Sequence, residues 1–522
     1  MPKLLDEIVA SRGQEVAVAD EFGQTTWLEL DERTRRLINA LKDASIGPGD
    51  TIVMMIGNRR ECFEIFQAAA HLGVTYVPVN WHWVADELAY VIADADAKAV
   101  FVGHRFVNIA EEALKDERSR QVQLSLIIGS PSVGPLGDYE EFLTSASTAD
   151  LPEDQQVLGG PMFYTSGTTG RPKGVRGALS GGEKIPTEVM QLIAGSMGAY
   201  VPAGGRSLLV GPVYHSAQWA FTFMPMINGS SVVMRHKFDA SETIRLIDEE
   251  DITNIHLVPT QFKRMLDVEK NIKENFDGSS LHSVWHGAAP CPPTWKKAML
   301  EWFGPKVHEY YGSTEGAFIS NILAEDWIKK GGSVGKPVET VEVIIIDDNG
   351  ERIERPNEPG VLYFRNLLGM GFEYHKAPEK TAAAHLEPGV FTTGDIGYLD
   401  EEGYLWLSDR KIDMIISGGV NIYPAEIEAV IAEHGGVADV SVIGVPNEEF
   451  GEEVKAIVEC SNTYQGNTDL TKELLQLCTK KLASYKRPKS IDFVDELPRT
   501  GTGKILKRNL REPYWEGYER NI

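Results

Sequence analysis

The sequence predicts an α/β fold with a large N-terminal domain and a small α+β C-terminal domain. Its 522 residues exceed one ordinary core, since domains average roughly 150 residues and about three folding units are expected. Short β-rich runs alternate with amphipathic helical patterns from residue 30 to about residue 310. A β-rich stretch follows, and beyond Arg410 a compact α+β pattern returns.

Strand–helix alternation in the first part predicts parallel sheets covered by helices, and the segment is long enough for two such sheets. Leu37, Ile38 and Leu41, for example, recur at the spacing of one helix face. The predicted strands are Thr51–Ile56, Val74–Val79, Ala99–Val102, Leu124–Ile128, Ser207–Gly211, Ser231–Met234 and Asn254–Val258. The predicted helices are Asp31–Ala44, Arg60–His71, Ala85–Ala93 and Ser241–Glu250.

The stretch from about Gly335 to Arg410 has a different texture, with strands joined by turns and little helix. Turn sequences at 348–350, 358–360 and 402–403 separate the predicted strands, which are Val341–Asp347, Gly360–Arg365 and Tyr404–Ser408. We therefore expect a smaller antiparallel β unit here.

The last part of the chain predicts a compact α+β unit. Its elements are a helix at Pro424–Glu433, strands at Asp439–Val445 and Val454–Glu459, and a helix at Leu470–Leu482. Proline opens the first helix and Gly435 follows its end, which is the order that helix capping favours. The predicted domains are residues 1–410, with the β-rich subdomain at about 335–410, and residues 411–522.

Composition restricts the partners of the protein. Hydrophobic content of 42% and charged content of 24% are typical of a soluble globular protein. The formal charge of −25 repels nucleic-acid phosphates and anionic membrane surfaces, so no nucleic-acid partner is expected. Any polyanionic ligand must therefore be held by a local positive site.

Cysteine usage and hydropathy favour a cytoplasmic protein. The cysteines at 62, 291, 460 and 478 have no C-x-x-C pair and no metal-ligand spacing, as expected of reduced thiols. The N-terminus lacks the apolar core of a signal peptide, and no uncharged apolar run approaches the roughly 20 residues that span a bilayer.

The most informative motif is the run from Tyr164 to Gly174, YTSGTTGRPKG. Its glycines let backbone N–H groups approach an anion without a Cβ in the way, its hydroxyls add donors, and Lys173 adds a positive charge. The spacing G-x-x-G-x-x-K does not fit the Walker A motif, so a P-loop NTPase loses its main support. Taken alone, a Gly/Ser/Thr-rich stretch is more often a solvated loop. The complete run predicts a loop that holds polyphosphate.

This run resembles the phosphate-binding signature of adenylate-forming enzymes, the superfamily of acyl-CoA synthetases, luciferases and peptide-synthetase adenylation domains. Further signatures follow in the order that the superfamily has, so the resemblance spans nearly the whole chain. It implies an N-terminal domain of two helix-covered β-sheets plus a small distorted β-barrel. It also implies a small mobile α+β C-terminal domain that carries a catalytic lysine.

Three further motifs of the N-terminal domain support the resemblance. Pro212–His215 resembles the aromatic–histidine motif that borders the carboxylate substrate, although a lone histidine is more often structural. Gly287–Pro290 has small side chains and, by resemblance, forms one side of the adenine slot and the floor of the acyl pocket. Tyr310–Glu315 matches Y-G-x-T-E, which supplies an aromatic face for adenine, Thr314 for the α-phosphate and Glu315 for the Mg²⁺ that accompanies ATP.

Two further motifs flank the predicted domain boundary. Asp395 supplies a carboxylate suited to the ribose hydroxyls, and Arg410 is the expected second ribose contact. The family usually has Asp or Lys two residues after that arginine, whereas this chain has Ile412. We therefore expect Lys411 or Asp413 to take the polar role at the hinge.

The C-terminal domain is expected to serve both half-reactions. Lys504, in the run GTGK, resembles the mobile lysine that neutralises charge as carboxylate attacks the α-phosphate and pyrophosphate leaves. The Gly418–Gly419 loop is expected beside the thiol tunnel of the second step. The same domain contains a basic cluster, for which two interpretations are open: a solvated surface, or a role near the phosphates of coenzyme A. Its members are Lys480, Lys481, Lys486, Arg487 and Lys489.

The predicted site residues form three sets. The predicted catalytic residues are Lys173, His215, Thr314, Glu315 and Lys504. The predicted nucleotide- and coenzyme-binding residues are Thr165, Ser166, Gly167, Thr168, Thr169, Gly170, Lys173, Gly287, Ala288, Ala289, Pro290, Glu309, Tyr310, Tyr311, Gly312, Ser313, Thr314, Asp395, Arg410, Gly418, Gly419 and Lys504. The predicted metal ligand is Glu315.

These features predict an ATP-dependent, AMP-forming acyl-CoA ligase that uses ATP, Mg²⁺ and coenzyme A. The alternative is a stand-alone adenylating enzyme that loads a carrier-protein thiol. The residues expected to line the acyl pocket contain no Lys, Arg or Asp, which favours a hydrophobic monocarboxylic acid over an amino acid. They are Tyr214, Ser216, Ala217, Gln218, Trp219 and Gly312. The choice among fatty, aryl and steroid acids stays open, as does a homodimer.

Overall fold

The computed structural model describes residues 4–165, 171–177, 188–288, 291, 293–347, 349–410, 415–422, 424–461, 464, 466–498, 507–516 and 518. The predicted Ser166, Gly167, Thr168, Thr169, Gly170, Ala289, Pro290, Lys411, Ile412, Asp413 and Lys504 lie outside this set, as does the side chain of Arg410.

The first part of the chain alternates strands and helices, as predicted. Its strands are β1 (Val16–Asp20), β2 (Gly23–Thr26), β3 (Thr51–Met55), β4 (Thr75–Pro78), β5 (Ala97–Gly103), β6 (Leu124–Ile128), β7 (Gly137–Asp138), β8 (Phe163–Thr165), β9 (Lys173–Gly177), β10 (Arg206–Leu209), β11 (Ser231–Met234), β12 (Asn254–Leu257), β13 (Ser283–His286), β14 (Val307–Ser313), β15 (Ala317–Ile322) and β16 (Lys336–Pro337). Its helices are α1 (Asp6–Arg12), α2 (Trp27–Asp43), α3 (Glu61–Leu72), α4 (Ala85–Asp94), α5 (Val107–Lys115), α6 (Tyr139–Thr144), α7 (Glu188–Ser196), α8 (Ser216–Ala220), α9 (Phe223–Ile227), α10 (Ala240–Glu249), α11 (Pro259–Leu266), α12 (Lys270–Asn275), α13 (Pro293–Phe303) and α14 (Ala324–Lys329).

Two large sheets organise this part, which confirms the predicted α/β fold. Within the described ranges, one sheet has the order β4-β3-β5-β6-β7 and is parallel throughout. The other has the order β16-β15-β14-β13-β12-β10-β11-β1-β2. Its middle strands are parallel, as predicted for residues 30 to about 310, whereas β2, β15 and β16, which lie outside that stretch, run antiparallel to their neighbours.

Helix α3 lies in the core between the two sheets. Every residue from Glu61 to Leu72 is buried, as expected of a helix covered on all sides. Phe63 and Phe66 share one apolar cluster with Met54 of β3 and Val18 of β1, and thereby join the sheets. The chain leaves α3 through Gly73, whose φ of 69° favours glycine.

Helix α2 begins four residues before its predicted start, at Trp27 instead of Asp31. Thr26 and Glu29 form a capping box there: the Thr26 side chain accepts from the Glu29 backbone, and the Glu29 carboxylate accepts from the Thr26 N–H. This T-x-x-E signal was present in the sequence and sets the helix start.

The β-rich stretch holds β17 (Val341–Ile346), β18 (Gly360–Asn366), β19 (Phe372–Tyr374), β20 (His385–Glu387), β21 (Val390–Leu399), β22 (Leu405–Arg410) and the unpredicted helix α15 (Pro378–Ala384). Strands β17, β18, β20, β21 and β22 form an antiparallel sheet, as expected. Strand β19 instead pairs with β9, which extends the β8–β9 hairpin toward this unit.

The last part forms a separate α+β unit of β23 (Ile415–Ser417), β24 (Val420–Ile422), α16 (Pro424–Ile431), β25 (Val437–Asn447), β26 (Gly451–Cys460), α17 (Thr468–Lys481), β27 (Ser490–Val494) and α18 (Lys507–Trp515). Its sheet has the order β24-β23-β26-β25, and β27 pairs with β26. Helix α16 ends at Ile431, so Gly435 does not follow its end directly as predicted. The bounds 1–410 and 411–522 stay a prediction.

In the described part of the chain, no helix is both long and apolar enough to cross a membrane.

Candidate active site

A cavity of about 2450 Å³ lies where the carboxyl ends of β10, β12, β13 and β14 meet. Parallel strands place the residues that follow them at one edge of a sheet, which is where α/β proteins bind ligands. The cavity is also lined by the β-rich unit and by the last α+β unit. The predicted site residues that line it are Thr165, Lys173, His215, Ala288, Glu309, Tyr310, Tyr311, Gly312, Ser313, Thr314, Glu315, Asp395, Gly418 and Gly419.

The β8–β9 hairpin places Thr165 and Lys173 opposite each other at the two ends of the phosphate-loop sequence. Lys173 is half-buried, and its Nζ lies 4.9 Å from the ring centroid of Tyr374. Burial lowers the pKa of Lys173, and nearby Lys380 adds to this effect while Glu315 opposes it. A partly desolvated ammonium in this position is suited to bind phosphate.

Glu315 faces the same part of the cavity as Lys173. Burial raises the pKa of its carboxyl, and the Tyr374 hydroxyl donates a 3.0 Å hydrogen bond to Glu315 Oε1. The described residues contain no group of three or more His, Cys, Asp or Glu side chains that could hold a metal ion by themselves. Mg²⁺ is usually held by one or two carboxylates together with substrate phosphates, so a single half-buried carboxylate fits that ion.

The aromatic–histidine motif meets the Y-G-x-T-E motif across the cavity. Ser216 Oγ and Thr314 Oγ1 lie 3.2 Å apart and share a hydrogen bond. His215 is exposed to the cavity, and desolvation by the surrounding protein lowers its pKa, with a contribution from His82, so the imidazole is neutral at pH 7. A neutral His215 offers a hydrogen bond but no charge to a carboxylate beside Thr314.

A small slot lies between the end of β13 and strand β14. A Cβ at Gly287 would lie 2.6 Å from Tyr310 Cε1, so only glycine allows this approach. The Tyr310 hydroxyl shares a 3.0 Å hydrogen bond with His256 Nε2, which directs it toward the apolar side of the cavity. Tyr311 therefore remains as the aromatic residue beside the nucleotide side.

Asp395 is buried at 4% exposure and lines the cavity next to Tyr311. Its Oδ2 accepts hydrogen bonds from the Tyr311 hydroxyl at 2.6 Å and from Thr393 Oγ1 at 2.8 Å. Its backbone pairs with that of Arg410 across β21 and β22. This register places the two predicted ribose contacts side by side.

Glu309 has a different environment from the other predicted nucleotide-binding residues. Its Oε2 accepts a 2.6 Å bond from Lys296 Nζ, and His286 Nε2 lies 3.5 Å away. Lys296 is fully buried, so this ion pair lies in the protein interior next to β14, which forms one side of the slot. A direct contact of Glu309 with the nucleotide stays a prediction.

The apolar side of the cavity includes all six residues predicted for the acyl pocket. Helix α7 and the turn after it add a wall that the motifs did not indicate. Val189, Ile193 and Met197 line the cavity from there at a four-residue spacing, the periodic signal that could have identified them. Tyr200 and Phe318 stack at 4.8 Å and close the same side.

The last α+β unit reaches the cavity through the turn between β23 and β24. Gly418 and Gly419 have φ values of 59° and 78°, and the Gly418 N–H donates to the Phe450 carbonyl at 2.9 Å. A Cβ at Gly419 would lie 3.4 Å from Val258 Cβ. The two glycines thus let this turn pack directly against the residue that follows β12.

Only part of the predicted basic cluster faces the cavity. Lys486 and Lys489 line the cavity. Lys481 instead forms an ion pair with Glu433, with 2.6 Å between Nζ and Oε2. Further cations at the same opening are Lys237 and Arg264, which sequence analysis had not identified. They form a local positive surface in a chain with a formal charge of −25.

The comparisons with known proteins agree with this architecture. Residues 5–371 match the model of the AMP-binding enzyme family, and residues 426–504 match the AMP-binding enzyme C-terminal domain. The chain belongs to the AMP-binding enzyme family.

Curated members of this family are similar over nearly their full length. The chain is 33% identical to an indoleacetate–CoA ligase of Aromatoleum aromaticum, over 93% of this chain and 92% of that protein. It is 32% identical to a long-chain-fatty-acid–CoA ligase of Mycobacterium tuberculosis, over 94% and 93%.

A solved AMP-binding enzyme, the o-succinylbenzoate CoA synthetase of Bacillus subtilis, is similar in two ligand states. Bound to a product analogue, a double mutant of it gives a TM-score of 0.83 at 28% identity, with 98% of both chains covered. In complex with the acyl-adenylate intermediate it gives 0.67 at 27% identity, again with 98% of both chains covered. The overall similarity is therefore greater to the complex with the product analogue.

Proposed function

We propose that this chain is an ATP-dependent, AMP-forming acid:coenzyme A ligase that activates a hydrophobic monocarboxylic acid through an acyl adenylate. One observation carries the proposal. A single cavity joins a lysine suited to phosphate, Lys173, a half-buried carboxylate suited to Mg²⁺, Glu315, and a buried carboxylate suited to ribose, Asp395. The Gly418–Gly419 turn borders the same cavity, as expected of an enzyme that carries out both half-reactions in one place.

The nucleotide would lie along the β14 side of the cavity. Asp395 would accept hydrogen bonds from the ribose hydroxyls, and Tyr311 would pack beside the adenine. Thr314 would donate to the α-phosphate, where Ser216 already holds its hydroxyl in position. Mg²⁺ on Glu315 would neutralise phosphate charge as pyrophosphate leaves. The remaining predicted contacts, at Ser166, Gly167, Thr168, Thr169 and Gly170, belong to this proposal.

In the first half-reaction a carboxylate oxygen of the acid attacks the α-phosphorus of ATP, and the bond from that phosphorus to the pyrophosphate oxygen breaks. No side chain need become covalently attached, so positioning and charge stabilisation supply the catalysis. Neutral His215 would orient the acid without competing for the developing charge. Lys504 would stabilise the negative charge of the leaving pyrophosphate. This role is proposed from its sequence motif.

In the second half-reaction the thiolate of coenzyme A attacks the acyl carbon, and AMP leaves with the electron pair of the anhydride bond. The opening beside the Gly418–Gly419 turn is the proposed route for the thiol. Lys489, Lys237 and Arg264 line this opening and suit the phosphates of coenzyme A. A carrier-protein thiol is the alternative acceptor.

The acid is proposed to be apolar because the described residues on the apolar side of the cavity, around helices α7 and α8, include no charged side chain that would pair with an ammonium group. That side includes Trp219, Phe318, Met224 and Ile193. An amino acid would leave its ammonium buried without a carboxylate, which is costly. Arylacetic and fatty acids are therefore the first classes to test.

The decisive assay follows AMP formation with ATP, coenzyme A and a panel of short, medium, long, aryl and steroid carboxylic acids. Product thioester with free coenzyme A supports the ligase, whereas activity only with a carrier protein supports the alternative. Lys504→Ala should suppress acid-dependent pyrophosphate release and leave thioester formation from supplied acyl adenylate largely intact. Equal loss of both steps would contradict this division of labour. A cytoplasmic location and a homodimer are proposed only as starting hypotheses, and light scattering tests the second.

A further inference from the structure

Lys486 is a buried cation that connects the two parts of the chain. It is 1% exposed, and its Nζ donates to Glu87 Oε1 at 2.8 Å and to Glu426 Oε1 at 2.6 Å. Glu426 lies on α16 of the same α+β unit, but Glu87 lies on α4 of the first part. The ion triad therefore crosses from one unit to the other.

Glu87 is fixed in this position by its own helix. Its second oxygen, Oε2, accepts the backbone N–H of Val84 at 3.0 Å, which caps the start of α4. The neighbouring Asn80 Nδ2 donates to the Tyr485 hydroxyl at 2.7 Å, which adds a second contact across the same boundary. Residues 80–87 thus present a preformed surface to residues 485 and 486.

Burial makes this contact strong compared with the exposed pair that also joins the two parts. Arg264 and Glu449 lie 3.1 Å apart, but their side chains are 44% and 62% exposed. Exposed pairs contribute little, whereas removal of one partner from a buried pair leaves an uncompensated charge. Loss of Glu87 would leave Lys486 with Glu426, so the α+β unit would keep its internal ion pair.

We infer that Glu87 and Lys486 form a latch that holds the arrangement in which the Gly418–Gly419 turn packs against Val258. In this arrangement the cavity opens beside the turn, where the thiol is proposed to enter. The arrangement proposed to bring Lys504 to the nucleotide would break the latch, because Glu87 would stay with α4 while Lys486 moved with the α+β unit. Both are positioning residues for the second half-reaction, an assignment that rests on the proposed function.

The test compares Glu87→Gln with the wild type in the two half-reactions. Glutamine keeps the size of the side chain and an oxygen for the Val84 cap, but it cannot pair with Lys486 as an anion. Thioester formation from supplied acyl adenylate and coenzyme A should slow by about tenfold or more. Acid-dependent pyrophosphate release should stay within about twofold of the wild type, because it does not need the latch.

Glu449→Gln is the matched control, since it removes the exposed pair between the same two parts. Both half-reactions should change by less than about twofold in this variant. Glu87→Asp keeps the negative charge but shortens the side chain by one methylene. It should slow thioester formation less than Glu87→Gln does and more than Glu449→Gln does. An equal effect of Glu87→Gln on both half-reactions, or no greater effect than Glu449→Gln, overturns the latch.

Hydrogen exchange gives a readout that needs no substrate. Amides at residues 84–88 and 484–487 should exchange at least about threefold faster in Glu87→Gln than in Glu449→Gln. Unchanged exchange overturns the latch even if activity falls. If the wild type catalyses neither half-reaction, the proposed function fails, and the exchange comparison still decides whether the latch exists.

Discussion

Replacement of Tyr374 by phenylalanine tests whether Glu315 and Lys173 work as one unit. The Tyr374 hydroxyl donates to Glu315, while its ring lies 4.9 Å from Lys173 Nζ. Phenylalanine keeps the ring and removes only the hydrogen bond. The variant therefore separates the carboxylate contact from the cation contact.

The magnitude follows from the partner's charge. A hydrogen bond to a charged group is worth about 1.5–3 kcal/mol, and each 1.4 kcal/mol is about tenfold in an equilibrium constant. Loss of the donor should make the Glu315 carboxylate harder to ionise and weaken its binding of Mg²⁺. We expect the Mg²⁺ concentration for half-maximal pyrophosphate release to rise by about tenfold to a hundredfold in Tyr374→Phe.

The assay is a Mg²⁺ titration of acid-dependent pyrophosphate release at saturating ATP. Tyr398→Phe is the control, because it removes a phenol hydroxyl from the same part of the chain, where the ring stacks on Trp406. It should leave the titration unchanged. If Tyr374→Phe shifts the midpoint by less than about twofold, the reasoning about Glu315 is wrong.

Three further predictions concern the nucleotide, the acid and pH. Asp395→Asn should lower kcat/KM for ATP by about tenfold or more without changing KM for coenzyme A, since it weakens the proposed ribose contact and the hydrogen bonds from Tyr311 and Thr393 on the nucleotide side; steady-state kinetics with each substrate varied decides this. Trp219→Ala should destabilise the protein by about 3–5 kcal/mol and shift the acid panel toward bulkier substrates, because a 4% exposed ring is removed from the cavity wall; an unchanged acid profile would exclude Trp219 from the pocket. Burial raises the pKa of Glu426 to about 7 from an ordinary value of 4.5, against the opposing effect of Lys486 and with a contribution from Glu87. Tyr485 also borders Lys486, and burial raises its pKa to about 12, so it stays neutral over this range. The folded state binds the Glu426 proton more tightly, so this group should cost stability as pH rises from 4.5 to 7, by at most about 3 kcal/mol, and Glu426→Gln should flatten that part of a chemical-denaturation profile.

The sequence predicted those parts of the site in which neighbouring residues act together. All six residues of the run Tyr310–Glu315 line the cavity, because they lie at the end of β14 or directly after it. The β8–β9 hairpin likewise brings Thr165 opposite Lys173 by local pairing alone. Such placements need only spacing and strand direction, both of which can be read along the chain.

Contacts between distant elements were not predictable in the same way. Tyr374 reaches Glu315 only because β19 pairs with β9, and nothing in the local sequence specifies that pairing. The partner of Glu309 is Lys296, on a helix whose packing had not been derived. Glu87 and Lys486 are separated by 399 positions, and no pattern in either segment points to the other.

The Gly418–Gly419 turn borders the cavity, and this position has a consequence for how much ATP is used per thioester formed. An acyl adenylate is a mixed anhydride and would be lost to hydrolysis if solvent reached it between the two steps. The Gly418–Gly419 turn lies against Val258 beside the proposed opening for the thiol, so the position of this turn should decide how much solvent reaches the intermediate there. A substitution at Gly419 would strain this turn, because its φ of 78° favours glycine, and we expect ATP then to be consumed without a matching yield of thioester.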